Sequence, residues 1–261
     1  MSFMIYAVIG VILISIASAI IGTYIVTRRM VFITGGITHA CFGGLGLGYY
    51  LGVSPMAMAS VFAVGGALGV DRLKSNGARR DSAIAVIWAL GMALGILFIF
   101  MTEGYVPELN TFLFGNVLTI TPVDLWLFAG FTSALILFYI FFFRLIVTVS
   151  FDTDFARTRN LPVKAINFLM TIFVGIAIVL TIRLIGIMLL MSLVSLPQMI
   201  SEKMTRNYLP LMLTSTGVSL MGCLGGLWIA YLINVPASAA IVILLVLLYV
   251  AIQIIPRKRR I

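Results

Sequence analysis

Long apolar runs, broken only by short charged clusters, fill this chain from one end to the other. That pattern limits the fold more than any single motif does. Hydrophobic residues make up 62% of the 261 positions and charged residues 10%, against about half and about a quarter in ordinary soluble domains. Mean hydropathy is +1.20. No water-soluble core could hide so much apolar side chain, so lipid must cover it. The runs lack the period-two alternation of barrel strands, and backbone exposed to lipid must satisfy its own hydrogen bonds. The sequence therefore predicts an all-α, polytopic helical membrane protein, with residues 1–261 forming a single transmembrane domain. A helical span needs about 20 residues. Spans are expected at 4–26, 31–52, 56–70, 83–101, 124–147, 165–182, 184–199, 208–232 and 236–255. The first is read as a retained span, because Met1-Ser2-Phe3-Met4 carries no basic leader region.

Charge sets the orientation. With about nine transmembrane helices and the N-terminus outside, all but one of the 17 Lys and Arg residues fall on the cytoplasmic side; the exception is Arg183. Eight spans remain possible if 165–199 is one long helix. That arrangement moves Lys203, Arg206 and the basic C-terminal group Arg257, Lys258, Arg259 and Arg260 outside, so the charge bias favours a hairpin turning near Arg183-Leu184-Ile185-Gly186. The net charge of +9 is thus read as membrane anchoring, with no nucleic acid as partner. Cys41 and Cys223 lie in apolar runs without CxxC spacing and are expected as packed thiols.

Two segments between spans are unusual. The outer one, 102–122, is too apolar for a plain loop and too short to cross, and is expected to form a re-entrant or interfacial helix. The inner one, 152–164, reads Asp-Thr-Asp-Phe-Ala-Arg-Thr-Arg-Asn-Leu-Pro-Val-Lys. Asp152 or Asp154 can cap a short helix there, and Asn160 with Pro162 can end it. Such a helix either docks a cytoplasmic partner or is a solvated loop.

There is no P-loop, no HExxH and no GxSxG, so the chain carries no ATP site and no recognisable catalytic set. Within the second span Gly35, Gly36, His39, Gly43 and Gly46 recur at helical spacing and share a face, with Thr34 and Thr38 beside them. Close helix packing explains the glycines. An ionisable side chain inside a span is also a functional candidate by default, and imidazole is a common ligand for zinc, copper, nickel and iron. Thr34, Gly35, Thr38, His39 and Gly43 are therefore candidates for the wall of a translocation path, with His39 as a transient metal contact. The 14 methionines are scattered; Met188 and Met191 could share a face.

Arg28-Arg29-Met30-Val31-Phe32-Ile33 followed by Ile37-Thr38-His39-Ala40 resembles the second span of the zinc, manganese and iron ABC permeases of the ABC-3 family. In order along the chain, Asp81-Ser82-Ala83-Ile84, Phe114-Gly115-Asn116-Val117-Leu118, Asp154-Phe155-Ala156 with Asn160-Leu161-Pro162, Ile185-Gly186-Ile187-Met188-Leu189-Leu190, Leu196-Pro197 and Pro236-Ala237-Ser238-Ala239-Ala240 resemble the same family. The resemblance implies a type II importer-like permease subunit, multi-pass in the cell (inner) membrane, that is not itself an enzyme and holds no cofactor. It implies a homodimer working with cytoplasmic ATP-binding subunits and an extracytoplasmic metal-binding protein. The cargo would be a divalent transition metal, with zinc favoured because imidazole suits it and no carboxylate cluster appears. It also implies that Asp152, Asp154, Phe155, Ala156, Arg157, Arg159, Asn160 and Leu161 couple the permease to its ATPase. One departure stands out. The family's usual Asp, four residues before the histidine, is here Gly35.

Two other functions compete with this reading. A permease of the same architecture could carry a metal chelate or another small solute, for which the glycine face leaves room. A membrane enzyme or scaffold is disfavoured, because no paired acid, base or nucleophile lies within the spans.

Overall fold

A computed structural model describes residues 2–75, 77, 79–102, 115 and 120–254. All regular structure among the described residues is helical: α1 (Ser2–Thr27), α2 (Val31–Leu51), α3 (Pro55–Ser75), α4 (Arg80–Met101), α5 (Pro122–Phe151), the short α6 (Thr153–Thr158), α7 (Val163–Met204), α8 (Tyr208–Ile233) and α9 (Ala237–Ile254). Eight of these are long and apolar enough to cross a membrane. The expected helix within 102–122 falls almost wholly outside the described residues, as does the basic group at 257–260.

The spans run longer than hydropathy suggests. α3 continues past residue 70 through Asp71 and Arg72, whose side chains are exposed at its end, and the chain turns only at Gly77, with φ 92°. α5 likewise carries Arg144 on its exposed side. Long charged side chains can reach water from inside a helix end, so the charges do not stop the helices. α5 starts at a capping box. The Thr121 hydroxyl accepts from the Asp124 backbone N–H, the Asp124 carboxylate accepts from the Thr121 N–H at 3.1 Å, and Pro122 takes the first turn, where its missing N–H costs nothing.

At 42 residues α7 is twice the length a bilayer needs. Gly186 breaks it with φ 78° and ψ 174°, a conformation that glycine alone adopts readily. The two arms fold back on each other. Arg28, just beyond the end of α1, donates to the Asn167 side-chain oxygen in the first arm, while Gln198 Nε2 in the second arm donates to the Ser18 carbonyl at 3.2 Å. A straight helix would set Asn167 and Gln198 about 46 Å apart, yet their partners on α1 are only about 15 Å apart. The chain therefore reverses at the position where the charge pattern places a hairpin. The arms, 163–185 and 187–204, are about 34 and 27 Å long, each enough to cross the hydrocarbon layer. The second arm runs through Pro197.

Helices α1, α2 and α7 form the buried centre, with α4, α5, α8 and α9 more exposed around them. α2 is clasped between α3 and α4, and α1 lies against α7 and α8. Gly22 lets α1 meet the second arm of α7: a Cβ there would lie 2.2 Å from Gln198 Nε2 and 2.7 Å from the Val194 carbonyl. With alternating helices and the α7 hairpin, Arg28, Arg79, Arg157, Lys164, Lys203 and Arg206 gather at one end of the bundle. Arg183 sits at the other end, where its guanidinium pairs with Asp124 at 2.6 Å. The single basic residue out of place in the charge pattern is thus a neutralised one.

A labelling experiment tests this topology. Cys41 and Cys223 are buried, so a cysteine introduced at an exposed loop reports alone. Asn207→Cys should react in intact cells only with a membrane-permeant reagent, and Val235→Cys should also react with an impermeant one. The opposite pattern would remove the hairpin, because a single crossing by residues 163–204 carries Asn207 outside. Equal access to both would mean that α8 does not cross.

Candidate functional site

The glycine face of α2 is first a packing seam. A Cβ at Gly46 would stand 2.6 Å from the Gly95 carbonyl, and one at Gly43 would stand 3.0 Å from the Gly91 carbonyl and 3.1 Å from the Phe62 ring. α4 answers with its own glycines. A Cβ at Gly91 would lie 2.5 Å from both the His39 carbonyl and Ala40 Cα. Small residues on both helices thus bring the two backbones together, the usual means of helix association in lipid. Thr34 and Thr38 are buried inside the protomer. Gly43 lies in the seam, and His39 is half-buried at its edge.

The seam positions the His39 side chain. Its ring stacks on Trp88 of α4, with centroids 4.1 Å apart and planes 18° from parallel. One turn further along α4, Met92 Sδ lies 3.2 Å from His39 Nδ1. Residues four apart on a helix share a face, so Trp88 holds the imidazole plane while Met92 meets its nitrogen. Beside them Gly35 leaves space that other side chains fill: a Cβ there would be 3.0 Å from Trp88 Cζ3 and 3.4 Å from Met191 Cε. An indole edge and a thioether methyl are thus the side-chain atoms nearest Gly35. Among the described residues no three His, Cys, Asp or Glu side chains gather as a metal centre.

An apolar cavity of about 300 Å³ opens between α2, α3 and α4, lined by Ala40, Phe62, Gly65, Gly66, Ile87 and Leu94 among others. Its lining offers no ligating side chain and does not include His39.

The second candidate region is α6. Asp152 caps it, its carboxylate accepting from the backbone N–H groups of Asp154 and Phe155 at 3.1 and 2.8 Å. Ala156 is buried and seats the helix, and Asn160 closes it in the left-handed conformation, with φ 53°. The Leu161 N–H returns to the Ala156 carbonyl at 3.0 Å. Phe155, Arg157 and Arg159 point outward, with the Arg159 guanidinium over the Phe155 ring at 5.9 Å. The Asp154–Arg157 pair at 3.3 Å is exposed on both sides and adds little stability. α6 is therefore a small preformed knob at the basic end of the bundle, anchored by one alanine.

Sequence reasoning named His39 but missed Trp88 and Met92. Their i, i+4 spacing beside Gly91 and Gly95 was available as a signal, but nothing in one sequence says which helix packs on α2. It also noted Met191 without linking it to Gly35.

The model of the ABC 3 transport family matches residues 1–255. The chain is 35% identical to a membrane protein of Synechocystis sp. over 248 residues, covering 95% of this chain and 88% of that one. It is 29% identical to the manganese transport system membrane protein MntC of Halalkalibacterium halodurans over 244 residues, covering 93% and 83%. Among solved structures it superimposes on PsaBC from Streptococcus pneumoniae, in complex with Fab, with a TM-score of 0.88 and 25% identity, covering all of this chain and 94% of that one.

Proposed function

Because the chain belongs to the ABC 3 transport family, we propose that it is the membrane-spanning permease of an importer for a divalent transition metal in the cell (inner) membrane, with zinc the favoured cargo. The half-buried His39, held by Trp88 at the edge of the α2–α4 seam, carries this reading. A polar ring left open to lipid is costly, and a second copy of the permease covering that face would remove the cost and enclose a central path. Two imidazoles across such an axis would partly replace the missing carboxylate. The metal arrives from an extracytoplasmic binding protein and leaves toward the cytoplasm as the two copies open to each side in turn. The chain has no ATP site of its own, so cytoplasmic ATP-binding subunits supply the work, and α6 is where they engage.

Manganese is the second cargo, favoured by the name of the Halalkalibacterium relative. Zinc stands ahead of it because the His39 ring nitrogen faces a thioether sulfur, not a carboxylate oxygen.

Docking through α6 is testable by assembly and by coupling. Reversing Arg157→Glu and Arg159→Glu removes both outward cations but leaves the Asp152 cap and the Ala156 seat in place. The double variant should fold normally and lose at least ten-fold in ATPase co-purification or in hydrolysis coupled to transport. Normal assembly together with normal coupled transport would remove α6 from the coupling path.

A further inference from the structure

We propose that Met92 is a second ligand for the transported ion, and that the His39–Met92 pair makes the path selective for a borderline dication such as Zn²⁺ over a hard one such as Mn²⁺. This rests on the permease reading above and specifies its substrate class.

Geometry is the first support. An ion held by both groups, with a nitrogen bond of about 2.05 Å and a thioether bond no shorter than the roughly 2.3 Å of a thiolate, needs its two ligand atoms about 3.1 Å apart or more at angles of about 90° and above. His39 Nδ1 and Met92 Sδ are 3.2 Å apart. The pair is already spaced for chelation.

The second support is rigidity. The imidazole is stacked on Trp88, and Trp88 and Met92 rise from the same face of α4. α4 in turn is locked to α2 at Gly91, where a Cβ would meet only α2 backbone, and at Gly95, where it would meet the Phe42 ring and carbonyl. The backbones that carry both ligand atoms therefore move as one body.

The third support is what surrounds the pair. Gly35 brings no carboxylate, and the side chains nearest its missing Cβ are Trp88 and Met191, at 3.0 and 3.4 Å, so this position supplies no hard oxygen ligand. Manganese favours carboxylate, carbonyl and water oxygens, whereas thioether and imidazole favour zinc and other borderline or soft ions. Two ligands leave the remaining positions to water or to the second copy. That suits a conduit, where an ion must leave as readily as it arrives.

The test uses the purified chain and the assembled transporter together. Met92→Leu conserves volume and removes the sulfur; Met92→Glu replaces it with oxygen. In proteoliposomes holding the permease and its ATPase, the wild type should take up Zn²⁺ in preference to Mn²⁺. Met92→Leu should cut Zn²⁺ uptake about ten-fold at unchanged melting temperature, and Met92→Glu should move the ratio toward Mn²⁺. Zn²⁺ titration of the detergent-purified permease reads the same site without transport, and Met92→Leu should weaken it about ten-fold. A wild type that binds Zn²⁺ through Met92 but moves no metal overturns the importer reading and leaves the ligand pair standing. A Met92→Leu variant with wild-type Zn²⁺ binding and a wild-type Zn²⁺:Mn²⁺ ratio overturns the ligand pair.

Discussion

Replacing Gly91 with valine should abolish the folded protein. A Cβ at this position meets the His39 carbonyl and Ala40 Cα, both at 2.5 Å. These are backbone atoms of a helix, so no side-chain rotation relieves the clash. Overpacking costs about 1–3 kcal/mol where neighbours can shift; here α2 and α4 must separate as bodies, which places the cost at the top of that range or beyond it. Separation would also open the contact of Gly46 with Gly95 and pull Met92 and Trp88 away from His39. Gly65→Val is the matched control, since a Cβ there meets nothing within 4 Å. The expected result is loss of monodisperse protein in detergent for Gly91→Val, with near wild-type yield and melting temperature for Gly65→Val. Equal behaviour of the two would mean that α2 and α4 are not packed as described.

The second large effect is expected at His39. His39→Ala should reduce metal uptake by at least ten-fold while the protein still folds and assembles. The half-buried ring contributes one stacking contact, worth roughly 1 kcal/mol, and no hydrogen bond to a buried oxygen. Its removal therefore leaves the α2–α4 seam intact. His39→Gln separates a ligand from a packing group. If His39 only fills space and satisfies polar neighbours, glutamine should transport normally. If it meets the ion through its ring nitrogen, glutamine should fail almost as badly as alanine. Full transport by both variants would take His39 out of the mechanism. Gly35→Asp should restore a carboxylate–imidazole pair only if the Trp88 ring shifts by a few tenths of an ångström, because the new Cβ would lie 3.0 Å from Trp88 Cζ3.

The helical membrane architecture was legible because lipid leaves so few solutions for apolar runs of this length. The α7 hairpin was legible for a different reason. Its break falls among apolar residues that hydropathy cannot divide, but the charges on either side of it demanded a reversal, and the Arg28–Asn167 and Gln198–Ser18 bonds now show one. Span ends were less legible. Asp71 and Arg72 looked like loop residues, yet at the edge of a bilayer a long side chain can reach water from a helix that continues beneath it. The cap at Asp152 and the close at Asn160 are local chemistry, and the short helix between them was readable residue by residue. Met92 and Trp88 were not. Their importance comes from which helix faces α2, a tertiary fact that neither periodicity nor composition carries. Gly35 read as an absence in the sequence; in the fold it is a surface against which an indole edge and a thioether methyl pack.

On the proposed function, this chain conducts a divalent metal only when a partner ATPase drives it. The direct measurement is metal accumulation in proteoliposomes containing the permease and its ATP-binding subunits, with and without ATP, beside a variant ATPase that binds ATP without hydrolysing it. Zn²⁺ movement should require hydrolysis and fall at least ten-fold with His39→Ala. Assembled complexes that hydrolyse ATP and move neither Zn²⁺ nor Mn²⁺ would contradict it.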